Sequence, residues 1–264
     1  MIREVVTEAE RLGYWGLLMP DHYMWGPQRP LGDSTLETWT TLTYLAARTE
    51  KIRLGTLVTP IPLRPPGILA KEVSTLDLLS GGRTILGVGA GWSQTEFEGY
   101  SEWDEPKVRV DKTLEGVELI LKLWTTDGKV NYEGRHYRAK DAVLEPKPLQ
   151  RPHPALLFGG VGSRMLRMAG AYADICIIPP WREGGFASAK EIVTDSAKRY
   201  SRDASRISFG QLSFGLGEKY DRSKLAEKVS RASQEGCDCF VVRFADAEYL
   251  ESMKDFARNV IPSF

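Results

Sequence analysis

The sequence predicts an α/β fold of the parallel TIM (β/α)8-type barrel class, and three observations carry that prediction. Residues 52–92 hold a strand, a helix and a second strand joined by short turns, and short crossovers of this kind imply a parallel sheet. Seven apolar strand segments are each followed by a helix or a helix-containing connection, with one helix ahead of the first strand. Polar and glycine signals recur after widely separated strands, as on one barrel rim, whereas a doubly wound sheet gathers them at a single switch point. A barrel of eight βα units with its first strand absent from the chain fits this count, as a single domain over residues 1–264.

Each element has a local reason. Residues 4–11 show helical periodicity, with Val5, Val6, Ala9 and Leu12 near one face and Gly13 as the stop. Residues 14–19 form a short strand ended by Pro20, the loop 21–27 follows, and 36–48 is helical. The segment 52–59 reads as a buried strand, which Pro60, Pro62, Pro65 and Pro66 end by removing ladder donors. A helix over 67–79 stops at Gly81 and Gly82, and 83–90 is the next strand. Beyond the loop 91–106, residues 108–123 form an amphipathic helix. Residues 125–154 are polar, contain Pro146, Pro148, Pro152 and Pro154, and are too long for an ordinary connector; an irregular excursion is expected there. Strands at 155–158, 174–178, 207–214 and 237–242 alternate with helices ending at 169 and spanning 186–200, 225–234 and 247–260.

Composition removes several function classes. Lys plus Arg equals Asp plus Glu at 35 each, so the formal net charge is zero and no basic face for nucleic acid is expected. Cys176, Cys237 and Cys239 are too few for a disulfide scaffold, and Cys237 and Cys239, two apart in a predicted strand, read as inert reduced thiols. His22, His136 and His153 form no ligand-spaced cluster, so no metal site is expected. No apolar run approaches 20 residues and no leader is evident, so a cytoplasmic protein with no membrane partner is expected.

In a parallel barrel the strand C-termini share the ligand-binding face. Asp21 and His22 follow a strand directly; an imidazole there suits proton exchange near neutral pH, and the adjacent carboxylate could fix its tautomer or only cap the turn. Gly159, Gly160, Val161, Gly162 and Ser163 lie between a strand and a helix, a pattern that holds a phosphate on backbone N–H groups or merely turns the chain. Gly87, Gly89 and Gly91 alternate along one strand, leaving a bare side for a flat ring or a neighbouring backbone, or relieving crowding. Glu96 supplies an acid or a helix-start carboxylate. Trp25 and Trp92 suit a planar ligand, while core packing explains Trp39 equally well. Arg64 and Arg83 either meet an anion or are ordinary surface charges.

Several segments together carry a family likeness: Ala9-Glu10-Arg11-Leu12-Gly13-Tyr14, Asp21-His22-Tyr23, residues 45–56, Ser80-Gly81-Gly82-Arg83, Gly87-Val88-Gly89-Ala90-Gly91-Trp92 with Glu96-Phe97, and Leu157-Phe158-Gly159-Gly160-Val161-Gly162. In this order and spacing the chain resembles the luciferase-like monooxygenase superfamily, and within it the coenzyme F420-dependent oxidoreductases. The resemblance implies a TIM barrel of the luciferase-like class with the deazaflavin at the strand C-termini. His22 would then stand near the reactive ring with Asp21 beside it, and Gly55, Thr56, Leu57 and Val58 would form a bulge supporting one ring face, where the family often keeps a non-proline cis peptide. Gly160, Val161 and Gly162 would hold the phosphate, and Trp92 and Glu96 would line the pocket. The implied reaction is hydride transfer with a small organic substrate, the accompanying proton moved by His22 or Glu96. A reduced-FMN-dependent monooxygenase of the same superfamily is the alternative, and a non-catalytic flavin-binding barrel a third. A homodimer is expected, since relatives often dimerise.

Overall fold

The computed structural model describes residues 2–25, 35–213, 219–244 and 248–263. Along the chain these form α1 (Ile2–Arg11), β1 (Gly16–Met19), α2 (Thr38–Ala46), β2 (Arg53–Thr56), β3 (Thr59–Pro60), α3 (Pro66–Leu79), β4 (Thr84–Gly89), α4 (Gln94–Tyr100) and α5 (Pro106–Thr125). There follow β5 (Val130–Glu133), β6 (Arg138–Ala142), β7 (Ala155–Gly159), α6 (Ser163–Tyr172), β8 (Ile175–Ile178), α7 (Gly185–Arg199), β9 (Ser208–Ser213), α8 (Arg222–Gln234), β10 (Cys239–Val242) and α9 (Tyr249–Asn259). Of the expected segments, Gly26 and Pro27 of the first loop, Phe214 and Ala247 lie outside the described residues. No helix among the described residues is long and apolar enough to cross a membrane.

The chain packs as two compact units, residues 17–156 and residues 1–16 with 157–264. The divisions fall after Gly16 and after Leu156, inside β1 and β7, so no linker composition could mark them.

In the unit 17–156, β2 and β4 are parallel, Leu54 opposite Thr84 and Gly55 opposite Ile85, and β3 continues beside β4 with Thr59 opposite Val88. Between β2 and β3 the Leu57–Val58 peptide is cis, at the position the resemblance implied, and Leu57 N donates to Met19 O at 2.8 Å. The glycines of β4 face this segment. A Cβ on Gly87 would lie 1.9 Å from the Thr56 carbonyl oxygen, one on Gly89 2.3 Å from Val58 Cγ2, and one on Gly91 2.4 Å from the Phe97 ring. Protein therefore fills the bare side, at Gly87 with the Thr56 backbone, the neighbouring backbone that such a stripe allows. The apolar residues of α5, Val117, Leu119, Ile120, Leu123 and Trp124, are buried, and Trp124 Nε1 donates to Ala70 O of α3 at 2.9 Å.

The stretch 125–154 is not wholly irregular. It contains the antiparallel hairpin β5–β6, two short strands of four and five residues in which Val130 alone is buried. Its turn is held from α5, where the Glu115 carboxylate accepts from the backbone N–H groups of Arg135, His136 and Tyr137 at 3.1, 2.7 and 3.2 Å.

In the other unit β7, β8, β9 and β10 run parallel in that order. Helix α6 meets α7 closely at Gly170, where a Cβ would lie 2.5 Å from the Val193 carbonyl oxygen. Ser196 Oγ donates to Arg167 O at 2.7 Å, and Tyr14 Oη reaches Met253 O at 2.8 Å, tying the chain start to α9. The three cysteines are free, and burial raises their thiols to about 12 for Cys176, 11 for Cys237 and 12 for Cys239. Cys237 precedes β10 and its Sγ donates to the Cys239 carbonyl.

One buried ion pair fixes the exit of β1. Asp21 is 2% exposed and Arg64 8%. Arg64 Nε donates to Asp21 Oδ2 at 3.0 Å and Nη2 to Oδ1 at 2.8 Å, a two-point pairing. Thr59 Oγ1 and Trp39 Nε1 also donate to Asp21 Oδ2, at 2.8 and 3.2 Å, and Arg64 Nη2 reaches Glu37 Oε1 at 2.6 Å. Burial disfavours the guanidinium charge, but the hydrogen bonds and charges of Asp21 and Glu37 outweigh it and hold the Arg64 pKa above its ordinary value. Arg64 is thus no surface charge. Arg83 likewise donates inward, to the carbonyls of Ser80, Ile52, Ala46 and Thr49.

Two stability predictions follow from this packing. Gly87→Ala forces a methyl into the Thr56 backbone and lowers stability by about 2–3 kcal/mol or more, read by thermal unfolding. Arg64→Leu strands the Asp21 carboxylate in the interior and costs about 3–5 kcal/mol, read by urea unfolding, with much of the loss recovered in the Arg64→Leu, Asp21→Leu double variant.

Candidate active site

The loop after β1 presents His22, and α4 brings Glu96 to meet it. Gly91, at φ +79°, turns the chain out of β4. Phe97 is fully buried beneath the turn and packs edge-on against Trp103 at 5.5 Å. Anchoring Phe97 in this way leaves its neighbour Glu96, in the first turn of α4, at the helix end where a negative charge is favoured.

His22 Nδ1 lies 2.8 Å from Glu96 Oε2, and the Glu96 side chain is 1% exposed. The other carboxylate oxygen, Oε1, accepts from the Tyr23 N–H at 2.6 Å and the Met24 N–H at 3.4 Å. Glu96 therefore holds both the imidazole and the backbone of the loop carrying it. As a carboxylate it accepts from Nδ1–H, which fixes the tautomer and leaves the lone pair on Nε2. Among the described residues Nε2 takes no hydrogen bond, so it is the ring position able to trade a proton.

Two indoles flank the imidazole. Trp25 lies 4.7 Å from it, tilted by 38°, and Trp92 5.5 Å away at 74°. Trp92 is exposed, as suits the wall of an open site. Tyr23 packs against Tyr100 at 4.9 Å and under the Arg64 guanidinium at 4.9 Å; burial pushes its phenol up to about 12, so it stays neutral and structural.

The structure thus brings His22, Glu96, Trp25 and Trp92 together and sends Asp21 elsewhere. Placing Asp21 beside the imidazole as its partner is corrected: its carboxylate is committed to Arg64, Thr59 and Trp39, and Glu96 orients the ring. Trp39, for which core packing was one of two readings, is buried and has a polar task as well. The same unit holds Gly55, Thr56, Leu57 and Val58, where Thr56 Oγ1 accepts from Gly87 N at 3.0 Å and lies within hydrogen-bond distance, 3.0 Å, of Thr59 Oγ1. The segment is a fixed piece of backbone at the end of β2. Sequence reasoning left Arg64 open between an anion partner and a surface charge, although a lone arginine between Leu63 and Pro65 in an apolar, proline-rich run is a signal of burial.

In the other unit, Gly159 ends β7 and Gly160, Val161 and Gly162 lead to Ser163 at the start of α6. Gly162 occupies the N-cap position and no side chain caps the helix. The first N–H groups of α6 have no acceptor within the helix, and around Gly162 a Cβ would meet nothing within 4 Å. Open space before uncapped backbone donors is the chemistry a phosphate requires, so these residues fit the phosphate end of a flavin-type cofactor.

Comparisons with known proteins bear on the family and the fold. The family model described as luciferase-like monooxygenase matches residues 1–219. An F420-dependent glucose-6-phosphate dehydrogenase of Segniliparus rotundus is 35% identical over 208 residues, covering 77% of this chain and 61% of that protein. An FMNH(2)-dependent dimethylsulfone monooxygenase of Pseudomonas putida is 29% identical over 242 residues, covering 90% of this chain and 64% of that protein. The chain thus spans less than two thirds of the length of either relative. Among solved structures, an F420-dependent secondary alcohol dehydrogenase in complex with an F420-acetone adduct superposes with a TM-score of 0.85 at 21% identity, covering 99% of this chain and 93% of that one. These likenesses establish the luciferase-like TIM-barrel fold class expected from the strand and helix count. With the matched model extending over most of its length, the chain belongs to the luciferase-like monooxygenase family.

Proposed function

We propose that the protein is an oxidoreductase that uses coenzyme F420 to move a hydride between the deazaflavin and a small organic substrate. The observation that carries this reading is the His22–Glu96 pair at 2.8 Å, set between two indoles at the C-terminal end of β1. Support comes also from relatives named as F420-dependent glucose-6-phosphate dehydrogenases in Segniliparus rotundus and, at 30% identity, in Amycolatopsis mediterranei.

When bound, F420 supplies a two-electron hydride-carrying carbon in place of the flavin nitrogen N5. His22 exchanges the accompanying proton at Nε2. Glu96 holds the Nδ1–H tautomer and stabilises the imidazolium that forms when the ring takes the proton, the part a buried carboxylate plays beside a catalytic histidine. Trp25 and Trp92 wall a planar group and limit water beside His22. Gly55, Thr56, Leu57 and Val58 offer fixed backbone for one ring face, and Gly159, Gly160, Val161, Gly162 and Ser163 with the start of α6 hold the phosphate.

A reduced-FMN-dependent monooxygenase is the second reading, favoured by the Pseudomonas putida relative. We extend the proposal to a cytoplasmic homodimer; Ile68 and Leu79 on α3, at 59% and 63% exposed, offer apolar surface to a second copy.

Absorbance titration of the purified protein with F420 and with FMN separates the two readings. Tight binding of F420 with substrate-dependent bleaching or recovery of its absorbance is expected; binding of FMN alone supports the second reading and overturns the first. His22→Gln is expected to lower kcat by about 10²–10⁴-fold with cofactor affinity within a few fold of wild type. Unchanged kcat in this variant removes His22 from the chemistry.

A further inference from the structure

The turn that carries Glu96 is fastened from behind by a side chain that takes no part in the His22–Glu96 pair. Arg109 lies in the first turn of α5 and is 7% exposed. Its guanidinium stands 3.7 Å over the Trp103 ring, and Nη1 donates to the Asp104 carbonyl. Trp103 in turn meets Phe97 edge-on at 5.5 Å, and Phe97 is the fully buried neighbour of Glu96. A continuous line of contacts from Arg109 through Trp103 to Phe97 thus ends one residue from the carboxylate that holds His22 Nδ1.

As a contributor to stability Arg109 is badly placed. Its Nε is buried with no hydrogen-bond partner. The ion pairs of the loop go instead to Lys112, whose Nζ meets Asp104 Oδ2 at 2.5 Å and Glu102 Oε2 at 3.9 Å, and none of the described carboxylates pairs with Arg109. Burial outweighs the pull of Asp104 and Glu105 and holds the Arg109 pKa below its ordinary value. A positive charge in the first turn also opposes the helix dipole.

A plain loop fastening does not require such a group, because an apolar side chain of similar volume would join the loop to α5 with less desolvation. What the guanidinium adds is a flat cationic face that matches the indole and fixes its tilt, whereas an aliphatic chain leaves the ring free to turn. With the indole fixed, Phe97 has one place to pack, and Phe97 sets the first turn of α4 on which Glu96 stands.

We propose that Arg109 is a positioning residue for His22: laid on Trp103, it holds Phe97 and hence Glu96 where the carboxylate selects the Nδ1–H tautomer of the imidazole. The inference deepens the proposed redox role of His22 and rests on it for its meaning in catalysis, but its test needs neither cofactor nor turnover, so the two fail separately.

The test is the nitrogen-15 spectrum of histidine-labelled full-length chain at a pH where the His22 ring is neutral, with the His22 signal assigned by its loss in His22→Gln. Arg109→Met keeps an apolar stem over the indole and removes the charge. In this variant the ratio of Nδ1–H to Nε2–H at His22 is expected to fall about threefold or more. Arg109→Lys, which keeps a cation over the ring, is expected to recover part of that loss. Added to Glu96→Ala, Arg109→Met is expected to change the ratio no further, since both act through one carboxylate. The unfolding temperature of Arg109→Met is expected to match or exceed that of the wild type, the reverse of what a merely structural contact gives. A wild-type tautomer ratio in Arg109→Met, no recovery in Arg109→Lys, an undiminished effect in the Glu96→Ala background, or a tautomer change that comes only with a fall in unfolding temperature overturns the inference.

Discussion

The site after β1 depends on an ion pair that takes no part in the chemistry. Asp21 immediately precedes His22, and its carboxylate is gripped at two points by Arg64, with Thr59 and Trp39 completing its hydrogen bonds. A carboxylate this buried is tolerable only when its lone pairs are satisfied, and satisfying them fixes the backbone on which His22 is mounted. With residue 21 turned inward, the next side chain leaves on another course, and Glu96 waits there with one oxygen for the imidazole and the other for the N–H groups of Tyr23 and Met24. Thus two carboxylates, one structural and one oriented at the histidine, divide between them what a single adjacent pair was expected to do.

The same economy governs the strands around it. The glycines of β4 let the segment from Thr56 to Val58 approach within distances that no side chain would permit, and Phe97 closes over Gly91. Close approach there keeps Thr59 within reach of Asp21 and places Glu96 one residue ahead of a buried anchor. Packing and site geometry are therefore one problem in this half of the chain: loosening β4 loosens both partners of the histidine.

Much of the fold was legible because its signals are local. The proline run after residue 59, the Gly81-Gly82 stop and the apolar runs at 84–89, 155–159 and 175–178 each dictate an element whatever surrounds them. The elements that escaped lack such signals. Helix α4 is seven residues with Gly99 inside it, and the β5–β6 hairpin is mostly polar and is held from outside by Glu115. The site was legible by position and not by partner: His22 and Glu96 stood out as polar residues following strands, yet nothing in the sequence says that side chains 74 residues apart meet while Asp21, next door, turns away. Arg64 was open to misreading for the same reason, since its burial is visible only once Asp21 and Glu37 surround it.

The central claim is that Glu96, and not Asp21, sets the protonation geometry of His22. The direct measurement is the ring tautomer, read from nitrogen-15 chemical shifts of selectively labelled histidine at a pH where the His22 ring is neutral. The account predicts the proton on Nδ1 in the wild type, lost to a mixed or Nε2–H population in Glu96→Ala. A wild-type ring carrying its proton on Nε2, or a tautomer indifferent to Glu96, contradicts it.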